Sequence, residues 1–326
     1  MRSRKVPVTR KQVADAAGVS TTTVRNVLAN FPQARISPRV RSRVLETVKR
    51  LKYKPSFSAS SLAAGRTHII GLMVPGHVSL FRGYYLRMMQ ALVAAMEEKE
   101  DHVLVLQREP RRKYLDCIRR KLLDGMVILQ SDQKDEATEA VLTTGLPTVL
   151  LNRLGPFSAS AVSMDYAGVV ERAVEFLYGR RRRRIALLCP YWDCEPNLRH
   201  INACHACQEN PDFQDAHIRH FDIPREDRTF AATAADIVRG DWDGIIVDGL
   251  AAAGRCADLT AETGDRDIVA IDVGDAPFTD QRIARLWRAR PDEMANHAYR
   301  ELRRLIDQPR ARPKTILIPF SQESPC

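Results

Sequence analysis

Apolar residues near the N-terminus recur in two short groups with helical spacing. The first group comprises Val13, Ala14 and Ala17. The second group comprises Val24, Val27 and Leu28. Each group gives a helix one apolar face toward a small core. Because Thr9 and Ser20 are helix-capping residues and Gly18 accommodates a tight turn, the pattern predicts two short helices joined at that glycine.

A third helix and a short linker complete this N-terminal region. Ser37 followed by Pro38 predicts a capped helix start. The residues expected on its inner side are Val40, Val44, Leu45, Val48 and Leu51. Pro55 ends the segment, and Ser56 can cap a further short helix at 57–64. That linker has too little apolar surface to fold alone, so we expect it to become helical only against a partner.

From Ile69 onward, apolar runs alternate with amphipathic segments, which is typical of an α/β protein. Nine strands are predicted: Ile69–Val74, Val103–Leu106, Gly125–Leu129, Thr148–Leu151, Ala161–Ser163, Ile185–Leu188, Gly244–Val247, Ile268–Ile271 and Thr315–Ile318. A segment of about 260 residues with this many strands suits two doubly wound lobes with a cleft between them. The predicted organisation is a head at 1–55, a linker at 56–67 and a two-lobed body at 68–326.

The polar face of the second helix indicates the chemistry of the head. Thr21, Thr22, Arg25 and Asn26 lie opposite the apolar stripe. In a helix-turn-helix, the second helix enters the major groove of DNA, where hydroxyl, amide and guanidinium groups read base edges. The structural alternative is an ordinary helical hairpin, in which these side chains are only solvated.

Charge favours the DNA interpretation because it is concentrated in the head. Residues 1–67 hold 15 Lys and Arg against 2 acidic residues, a net charge of +13. The other 259 residues hold 35 basic and 38 acidic residues, a net charge of −3. One basic module on an otherwise near-neutral chain is expected when that module neutralises phosphates.

Histidine and cysteine residues between positions 200 and 207 raise a metal or redox alternative. His200, Cys204 and Cys207 share one helix face, a spacing that permits metal ligation. Buried cysteine is more often a small apolar core residue, so no metal and no cofactor is predicted. The seven cysteines form no paired spacing, which argues against a disulfide framework.

Other functional classes find little support in the sequence. No glycine-rich phosphate loop, nucleophile elbow or paired-carboxylate motif stands in a recognisable context, so no enzymatic activity is predicted. No apolar run approaches the ~20 residues of a membrane span, and the basic N-terminus leads into a helix-turn-helix, which predicts a cytoplasmic protein on the nucleoid. The five arginines at 180–184 fit a solvated strand-entry loop better than a second nucleic-acid site.

Several motifs together resemble the LacI/GalR family of transcriptional regulators over essentially the whole chain. The matching residues in the head are Val13-Ala14, Ala17-Gly18-Val19-Ser20, Thr23-Val24, Val27-Leu28, Tyr53, Pro55, Ala59, Leu62 and Gly65-Arg66-Thr67. Those in the body are Met164-Asp165-Tyr166-Ala167-Gly168, Arg183-Arg184-Ile185-Ala186, Arg199, Asp248-Gly249-Leu250-Ala251 and Ile271-Asp272. The resemblance implies a helix-turn-helix headpiece and a body like the periplasmic sugar-binding proteins.

The resemblance also implies a set of DNA contacts. They are Thr9, Ser20, Thr21, Thr22, Thr23, Arg25, Asn26, Asn30, Tyr53, Ser56, Ala59 and Leu62. Leu62 would wedge into the minor groove at the operator centre and bend the DNA, although it could instead pack on its own domain. Arg25-Asn26 replaces the usual Ser-Arg pair, and Ser56 replaces a common Asn. The operator sequence therefore does not transfer.

A ligand pocket between the lobes is implied in the same way. Its expected residues are Phe81, Asn152, Met164, Asp193, Glu195, Arg199, Phe221, Asp248 and Asp272. Arg199 and Asp272 would fix hydroxyls or a polar ring, while the aromatic and methionine side chains form apolar walls. The alternative places the aspartates as helix caps. Asn202 and Val247 depart from the family pattern at glycine and asparagine positions.

The predicted function is a regulator, acting in the repressor mode, whose affinity for a pseudo-palindromic operator is controlled by a sugar-like ligand. A homodimer is expected, because no heptad tail follows Ile318 to support a tetramer. Two alternatives remain. One is a solute-binding or enzymatic α/β protein with an incidental basic head. The other is a DNA-binding regulator whose body is a degenerate scaffold that senses nothing.

Overall fold

A computed structural model describes residues 8–28, 31, 34–53, 65–74, 83–109, 112–129, 135–153, 158–190, 195–223, 234–235, 237, 240–260, 266–274 and 276–325. The chain divides into two compact units, Met1–His68 and Ile69–Cys326. The predicted linker at 56–67 lies outside the described residues up to position 64. The first unit is called the head below, and the second the body.

The described residues of the head form three helices: α1 (Arg10–Ala17), α2 (Thr21–Leu28) and α3 (Pro38–Leu51). Thr9 caps α1 in a capping box with Gln12, and Gly18 ends it with a left-handed φ of 60°. Ser37 caps α3, with Pro38 in its first turn. These local signals agree with the predicted helix starts, because each capping side chain satisfies a backbone N–H that the helix leaves unpaired.

The apolar stripes of the three helices meet in one small core. Its buried members are Val13, Ala14, Ala17, Val24, Val27, Val44 and Tyr53. Leu45 departs from the prediction, because its side chain is 46% exposed. Thr47 instead occupies the inner face of α3 and donates its hydroxyl to the Arg43 carbonyl at 2.8 Å. The helical period places position 47, not 45, beside Val44.

The body contains two lobes, each built on a six-stranded sheet. The N-lobe strands are β1 (Ile69–Val74), β2 (His102–Gln107), β3 (Gly125–Leu129), β4 (Thr148–Leu151), β5 (Ser160–Met164) and β11 (Thr315–Ile318). Their order across the sheet is β11-β5-β4-β3-β1-β2, and all pairs are parallel. The helices α4 (Gly83–Glu97), α5 (Lys113–Arg119), α6 (Glu136–Leu142) and α10 (Pro291–Asp307) cover it.

The C-lobe repeats this arrangement. Its strands are β6 (Arg184–Pro190), β7 (His217–Ile223), β8 (Gly244–Asp248), β9 (Asp267–Asp272), β10 (Ile283–Arg288) and β12 (Ser321–Glu323). Their order is β12-β10-β9-β8-β6-β7, with only the β10–β12 pair antiparallel. The helices that pack on this sheet are α7 (Tyr166–Gly179), α8 (Glu195–Glu209) and α9 (Leu250–Thr260). The α/β prediction of two doubly wound lobes is confirmed.

The chain passes between the lobes three times. It crosses from β5 to α7, returns from β10 to α10, and crosses again from β11 to β12. A single apolar cluster includes residues of both sheets, such as Val149 and Ile246, together with the helices α7 and α10. The two lobes therefore share part of their hydrophobic core.

All nine predicted strands are present, with ends that shift by up to two residues. The sequence did not predict β7, β10 and β12. In β7, polar residues alternate with apolar ones at the edge of the sheet, and β10 contains Arg285 and Arg288. The three residues of β12 depend on pairing with β10. Among the described helices, none is long and apolar enough to cross a bilayer.

Candidate functional site

The outer face of α2 presents an array of polar side chains. Thr21, Thr22 and Arg25 are exposed, whereas Val24 and Val27 are buried. The Arg25 Nε donates to Asn26 Oδ1 at 3.3 Å, so the two side chains support each other along the helix surface. Hydroxyl, guanidinium and amide groups on one exposed helix face suit the readout of major-groove base edges.

Other predicted DNA contacts have structural partners in the head. The Ser20 hydroxyl accepts the Thr23 backbone N–H at 3.0 Å and lies 2.9 Å from the Thr23 hydroxyl. Thr9 belongs to the capping box of α1. Tyr53 is largely buried, with 8% of its surface exposed. Thr9, Ser20 and Thr23 thus fix the helix starts, and Tyr53 closes the small core.

Several predicted site residues lie outside the described residues. They are Asn30, Ser56, Ala59, Leu62, Phe81 and Asp193. Glu195 is the first residue of α8, and only its backbone is described. Their assignments to DNA or ligand therefore stay predictions.

The carboxyl edge of the N-lobe sheet carries both neutral hydrogen-bonding groups and a largely buried ion pair, Arg108 with Asp135 at 3.0 Å. Asn152 follows β4 in a left-handed conformation with a φ of 54°, which asparagine tolerates well. Its Nδ2 donates to the Tyr84 hydroxyl at 3.0 Å, and that hydroxyl donates to Met294 Sδ at 3.8 Å. The Tyr84 hydroxyl also lies close to that of Tyr166, the first residue of α7 in the C-lobe, so each hydroxyl shifts the pKa of the other. This contact links the two lobes.

Both tyrosines of this contact stay protonated. Burial raises the pKa of Tyr84, although the hydrogen bonds from Asn152 and Tyr166 lower it in part. Burial also raises the pKa of Tyr166 well above its usual value, and the neighbouring Tyr84 raises it further. Tyr166 packs edge to face against His200 and Phe320, at ring-centroid distances of 5.3 and 5.6 Å. Its ring therefore stands between the edges of the two lobes.

Titratable groups gather at the carboxyl edge of the C-lobe sheet. Cys189 lies near the end of β6, Asp248 is the last residue of β8, and His200 lies in α8. Cys189 Sγ is 3.5 Å from Asp248 Oδ2 and 3.9 Å from His200 Nδ1. The His200 Nδ1 lies 3.6 Å from the same carboxylate oxygen. We call these three residues the thiol–imidazole–carboxylate cluster.

Asp272 lies at the end of β9 but is held by protein donors. Its carboxylate accepts the backbone N–H of Leu250 at 3.1 Å and that of Gly274 at 3.0 Å. Arg288 Nη1 donates to it at 3.2 Å, and Arg288 Nε donates to Glu323 at 2.8 Å. These contacts favour the helix-cap role that the sequence left open for Asp272. Asp165 likewise caps α7 through the Gly168 N–H.

The remaining predicted ligand residues are dispersed. Met164 is fully buried in the apolar cluster shared by the lobes. Phe221 is half-buried and packs edge to face on Trp242, with ring centroids 5.2 Å apart. Arg199 lines a groove of about 400 Å³ between α7 and α8, beside Glu171 and Asn202. Of the predicted set that is described, Asn152, Met164, Asp248 and Asp272 lie at the carboxyl ends of strands.

Cys204 and Cys207 belong to the buried face of α8. They are 1% and 3% exposed and join the main apolar cluster. Burial raises the pKa of the Cys204 thiol to about 12 and that of Cys207 to about 11. The shared helix face noticed in the sequence is thus the packing face of α8, and His200 meets Cys189 and Asp248 instead.

The arginine run before β6 is engaged by nearby carboxylates. Arg180 Nε and Arg182 Nε donate to Asp267 at 2.8 and 2.7 Å. Arg183 donates to Asp215 at 2.8 Å, and its guanidinium lies 3.8 Å from the centre of the Tyr178 ring. These pairs fit the expected strand-entry loop.

Sequence reasoning missed Tyr84, Tyr166, Cys189 and Arg288 as members of the candidate site. Cys189 and Arg288 lie near the ends of the parallel strands β6 and β10, where ligands of α/β proteins commonly bind. Locating every strand end would have identified these two residues. No strand end identifies Tyr84 and Tyr166, because both lie in the first turn of a helix and look like ordinary residues of an amphipathic helix.

Comparisons with known proteins agree with the two units. Residues 9–56 match the model of bacterial regulatory proteins of the lacI family. The HTH-type transcriptional regulator MalR of Streptococcus pneumoniae serotype 4 is 28% identical over 190 residues, which cover 56% of this chain and 57% of MalR. The match therefore spans little more than half the length of that curated relative.

Solved structures resemble the chain over nearly its whole length. The lac repressor dimer bound to operator and the anti-inducer ONPF has a TM-score of 0.76 and 18% identity, and the match covers 97% of this chain and 98% of that one. A complex of the transcriptional regulator CelR with cellobiose has a TM-score of 0.64 and 18% identity, with the same coverage. At this identity the likeness establishes the fold. The resemblance noted in the sequence is confirmed: the chain carries the helix-turn-helix domain of the lacI family on a body with the LacI-like periplasmic-binding-protein fold.

Proposed function

We propose that the chain is a DNA-binding transcriptional regulator whose operator affinity is controlled by a small molecule bound at the carboxyl edges of the two lobes. The observation that carries this proposal is the exposed polar face of α2 within a lacI-family domain. The titles of similar structures name operator DNA, an anti-inducer and cellobiose. A sugar-like effector fits the same arrangement in this chain.

The proposed regulator acts in the cytoplasm as a homodimer on a pseudo-palindromic operator. Each head takes one half-site, and the linkers at 56–67 meet at the operator centre. An effector shifts the DNA-binding equilibrium only by its different affinity for the two lobe arrangements. The contact between Tyr84 and Tyr166 joins the two lobes, so it depends on the angle between them. No catalytic step is assigned.

A second candidate keeps the DNA function but gives the body no sensing role. The carboxylate of Asp272 is already engaged by Arg288 and two backbone N–H groups. Asn152 is directed toward Tyr84. Polar groups that hold one another in this way offer fewer sites for a polyhydroxy ligand, which favours a dimerisation scaffold.

The decisive experiment selects duplexes from a random pool with the full chain at moderate salt, where non-specific phosphate binding is weakened. The enriched duplex is then titrated with sugars and related metabolites. An inverted repeat whose affinity changes with one compound supports the ligand-controlled regulator. A repeat that responds to none supports the scaffold candidate, whereas no enrichment contradicts a sequence-specific function.

Arg25 provides a sharper test of the proposal that the outer face of α2 contacts DNA bases. We expect Arg25→Ala to lose about 1–3 kcal/mol of discrimination at one base pair in each half-site. Arg50→Ala is the matched control, because it removes the same charge from the exposed end of α3. The control should weaken binding to all sequences alike. Equal effects of the two variants on sequence preference would refute the role of α2.

A further inference from the structure

Two of the three donor separations in the thiol–imidazole–carboxylate cluster match those of a metal site, and the third, Cys189 to His200, is slightly longer. Its donor atoms are separated by 3.5 Å (Cys189–Asp248), 3.6 Å (His200–Asp248) and 3.9 Å (Cys189–His200). Three such ligands on a tetrahedral Zn²⁺ lie about 3.3–3.6 Å apart, given ordinary Zn–S, Zn–N and Zn–O distances. We propose that Cys189, His200 and Asp248 bind a borderline-soft divalent transition-metal ion of the Zn²⁺ class.

The geometry favours a metal over a catalytic relay. In a nucleophile–base–acid relay, the histidine uses one ring nitrogen for the nucleophile and the other for the carboxylate. Here both neighbours approach the same atom, His200 Nδ1. The thiol also lies directly beside the carboxylate. Three donor atoms that converge on one another are arranged to share a cation.

Burial gives a second, independent observation. His200 is 2% exposed, and its Nδ1 lies 3.6 Å from its carboxylate neighbour, beyond normal hydrogen-bond length. Its Nε2 has no hydrogen-bond partner among the described residues. A buried imidazole with such weak contacts carries an uncompensated desolvation cost. A cation would bind Nδ1, the nitrogen that faces the other two donors, in place of its long contacts, and the Tyr166 ring at 5.3 Å packs edge to face against the imidazole.

The types of donor atom determine which metal ions the site favours, and its partial exposure determines where a fourth ligand can enter. Thiolate and imidazole select Zn²⁺ or Co²⁺ over Mg²⁺ and Ca²⁺, which prefer oxygen ligands. The Asp248 side chain is 20% exposed, whereas His200 is buried. A fourth ligand, water or a small molecule, can therefore enter from the Asp248 side. The Cys189 thiol gives its proton to solvent when the metal binds.

The test uses the full chain and Co²⁺ as a spectroscopic probe. We expect one equivalent to give the visible bands of tetrahedral Co²⁺ together with a thiolate-to-cobalt charge-transfer band, and Zn²⁺ but not Mg²⁺ to bleach both. Cys189→Ser should remove the charge-transfer band. Cys204→Ser is the matched control, since Cys204 is equally buried but packs in the apolar cluster. That control should keep the wild-type spectrum.

Asp248→Asn provides a second readout, because this partly exposed position is the least demanding for folding. The charge-transfer band should persist while Co²⁺ affinity falls by about tenfold or more. Absence of a charge-transfer band in the wild type would overturn the proposal. An unchanged band in Cys189→Ser, or unchanged affinity in Asp248→Asn, would also overturn it. These outcomes do not depend on DNA binding, so they are distinct from failure of the proposed regulator.

Discussion

The two lobes of the body have the same strand order but different chemistry at their carboxyl edges. The N-lobe edge carries the hydrogen-bonded pair Asn152 and Tyr84 and the largely buried ion pair Arg108 and Asp135. The C-lobe edge carries Cys189, His200 and Asp248, a thiol, an imidazole and a carboxylate whose donor atoms lie close together. Repetition of a fold therefore does not repeat a site. The N-lobe edge provides a lobe contact, and the C-lobe edge provides reactive donors.

The amino edges of the two sheets, in contrast, resemble each other, because each has a buried carboxylate bonded to arginine. In the N-lobe, buried Glu301 accepts from the Ser160 hydroxyl at 2.6 Å and from Arg304 Nε at 2.7 Å. In the C-lobe, buried Asp267 accepts from Arg180 and Arg182. Each lobe thus buries carboxylate against arginine at the start of its strands, and in the N-lobe Asp101 pairs with Arg303 in the same way at 3.0 Å. The two lobes therefore resemble each other more at their amino edges than at their carboxyl edges.

The largest expected effect is stabilisation of the fold by Zn²⁺, because only the C-lobe edge has the proposed metal site. At Zn²⁺ concentrations 100-fold above Kd, binding to the folded chain adds about 2.7 kcal/mol to the free energy of unfolding. Thermal unfolding of wild type with and without Zn²⁺ measures this gain as a higher Tm. Cys189→Ser should lose the gain, whereas Tyr84→Phe should retain it. If both variants lost the rise in Tm with Zn²⁺, the carboxyl edges of the two lobes would form a single metal site, which would contradict the comparison.

Removal of the Tyr84 hydroxyl is expected to cost about 2–3 kcal/mol of unfolding free energy, because it leaves the buried Asn152 amide without its acceptor. Tyr166→Phe is the matched variant. It removes only the contact with Tyr84 among the bonds described, so its cost should be about 1 kcal/mol. Urea unfolding of both variants and of the double variant gives the coupling. Additive costs would show that the interlobe hydrogen bond contributes nothing.

Asp267→Asn tests the amino edges, and its expected effect is smaller than that of Zn²⁺ binding or of Tyr84→Phe. At neutral pH it should cost about 2 kcal/mol, as expected for charged hydrogen bonds. Burial opposes ionisation of Asp267, but the hydrogen bonds from Arg180 and Arg182 outweigh it and lower its pKa. The carboxylate therefore stabilises the fold above its unfolded pKa of about 3.9, and this stability disappears as pH falls through the lower folded value.

Urea unfolding of wild type and Asp267→Asn at pH 7 and at pH 3 measures that dependence. The difference in unfolding free energy between wild type and Asp267→Asn should be smaller at pH 3 than at pH 7. Glu301→Gln should behave alike, because Arg304 and Ser160 lower the pKa of Glu301 despite its burial. Asp241→Asn is the control, since this carboxylate is 88% exposed and lies 3.5 Å from Arg184. A control as costly as Asp267→Asn would mean that general surface charge, and not the buried pair, is responsible.

Local sequence signals predicted most of the fold. Capping residues and apolar spacing located the helices of the head, because those interactions lie within a few residues of one another. Buried parallel strands such as β3 and β4 read as short apolar runs. The strand β10 was missed because Arg288 looks like a surface residue, although its guanidinium is held by Asp272 and Glu323. Only tertiary partners make such a residue compatible with a buried strand.

The candidate site was less predictable for the same reason. Cys189, His200 and Asp248 come from three separate elements, so no fixed spacing connects them. The helical period grouped His200 with Cys204 and Cys207, but that period describes how α8 packs. Asp272 was predicted as a ligand contact because it matches an aspartate of the family motif. Whether such a carboxylate is available depends on Arg288, which lies 16 positions later in the chain.

The three passages between the lobes have a consequence for synthesis on the ribosome. The N-lobe begins with β1, yet its sheet also requires β11, and α10 packs against β4 and β5. The first lobe to be started therefore cannot be completed until residues 291–318 have emerged, after nearly all of the C-lobe. Until then, the apolar face of β3, β4 and β5 that α10 covers stays open to chaperones and to aggregation. A nascent chain of this protein would reach its native body in one late step and not lobe by lobe.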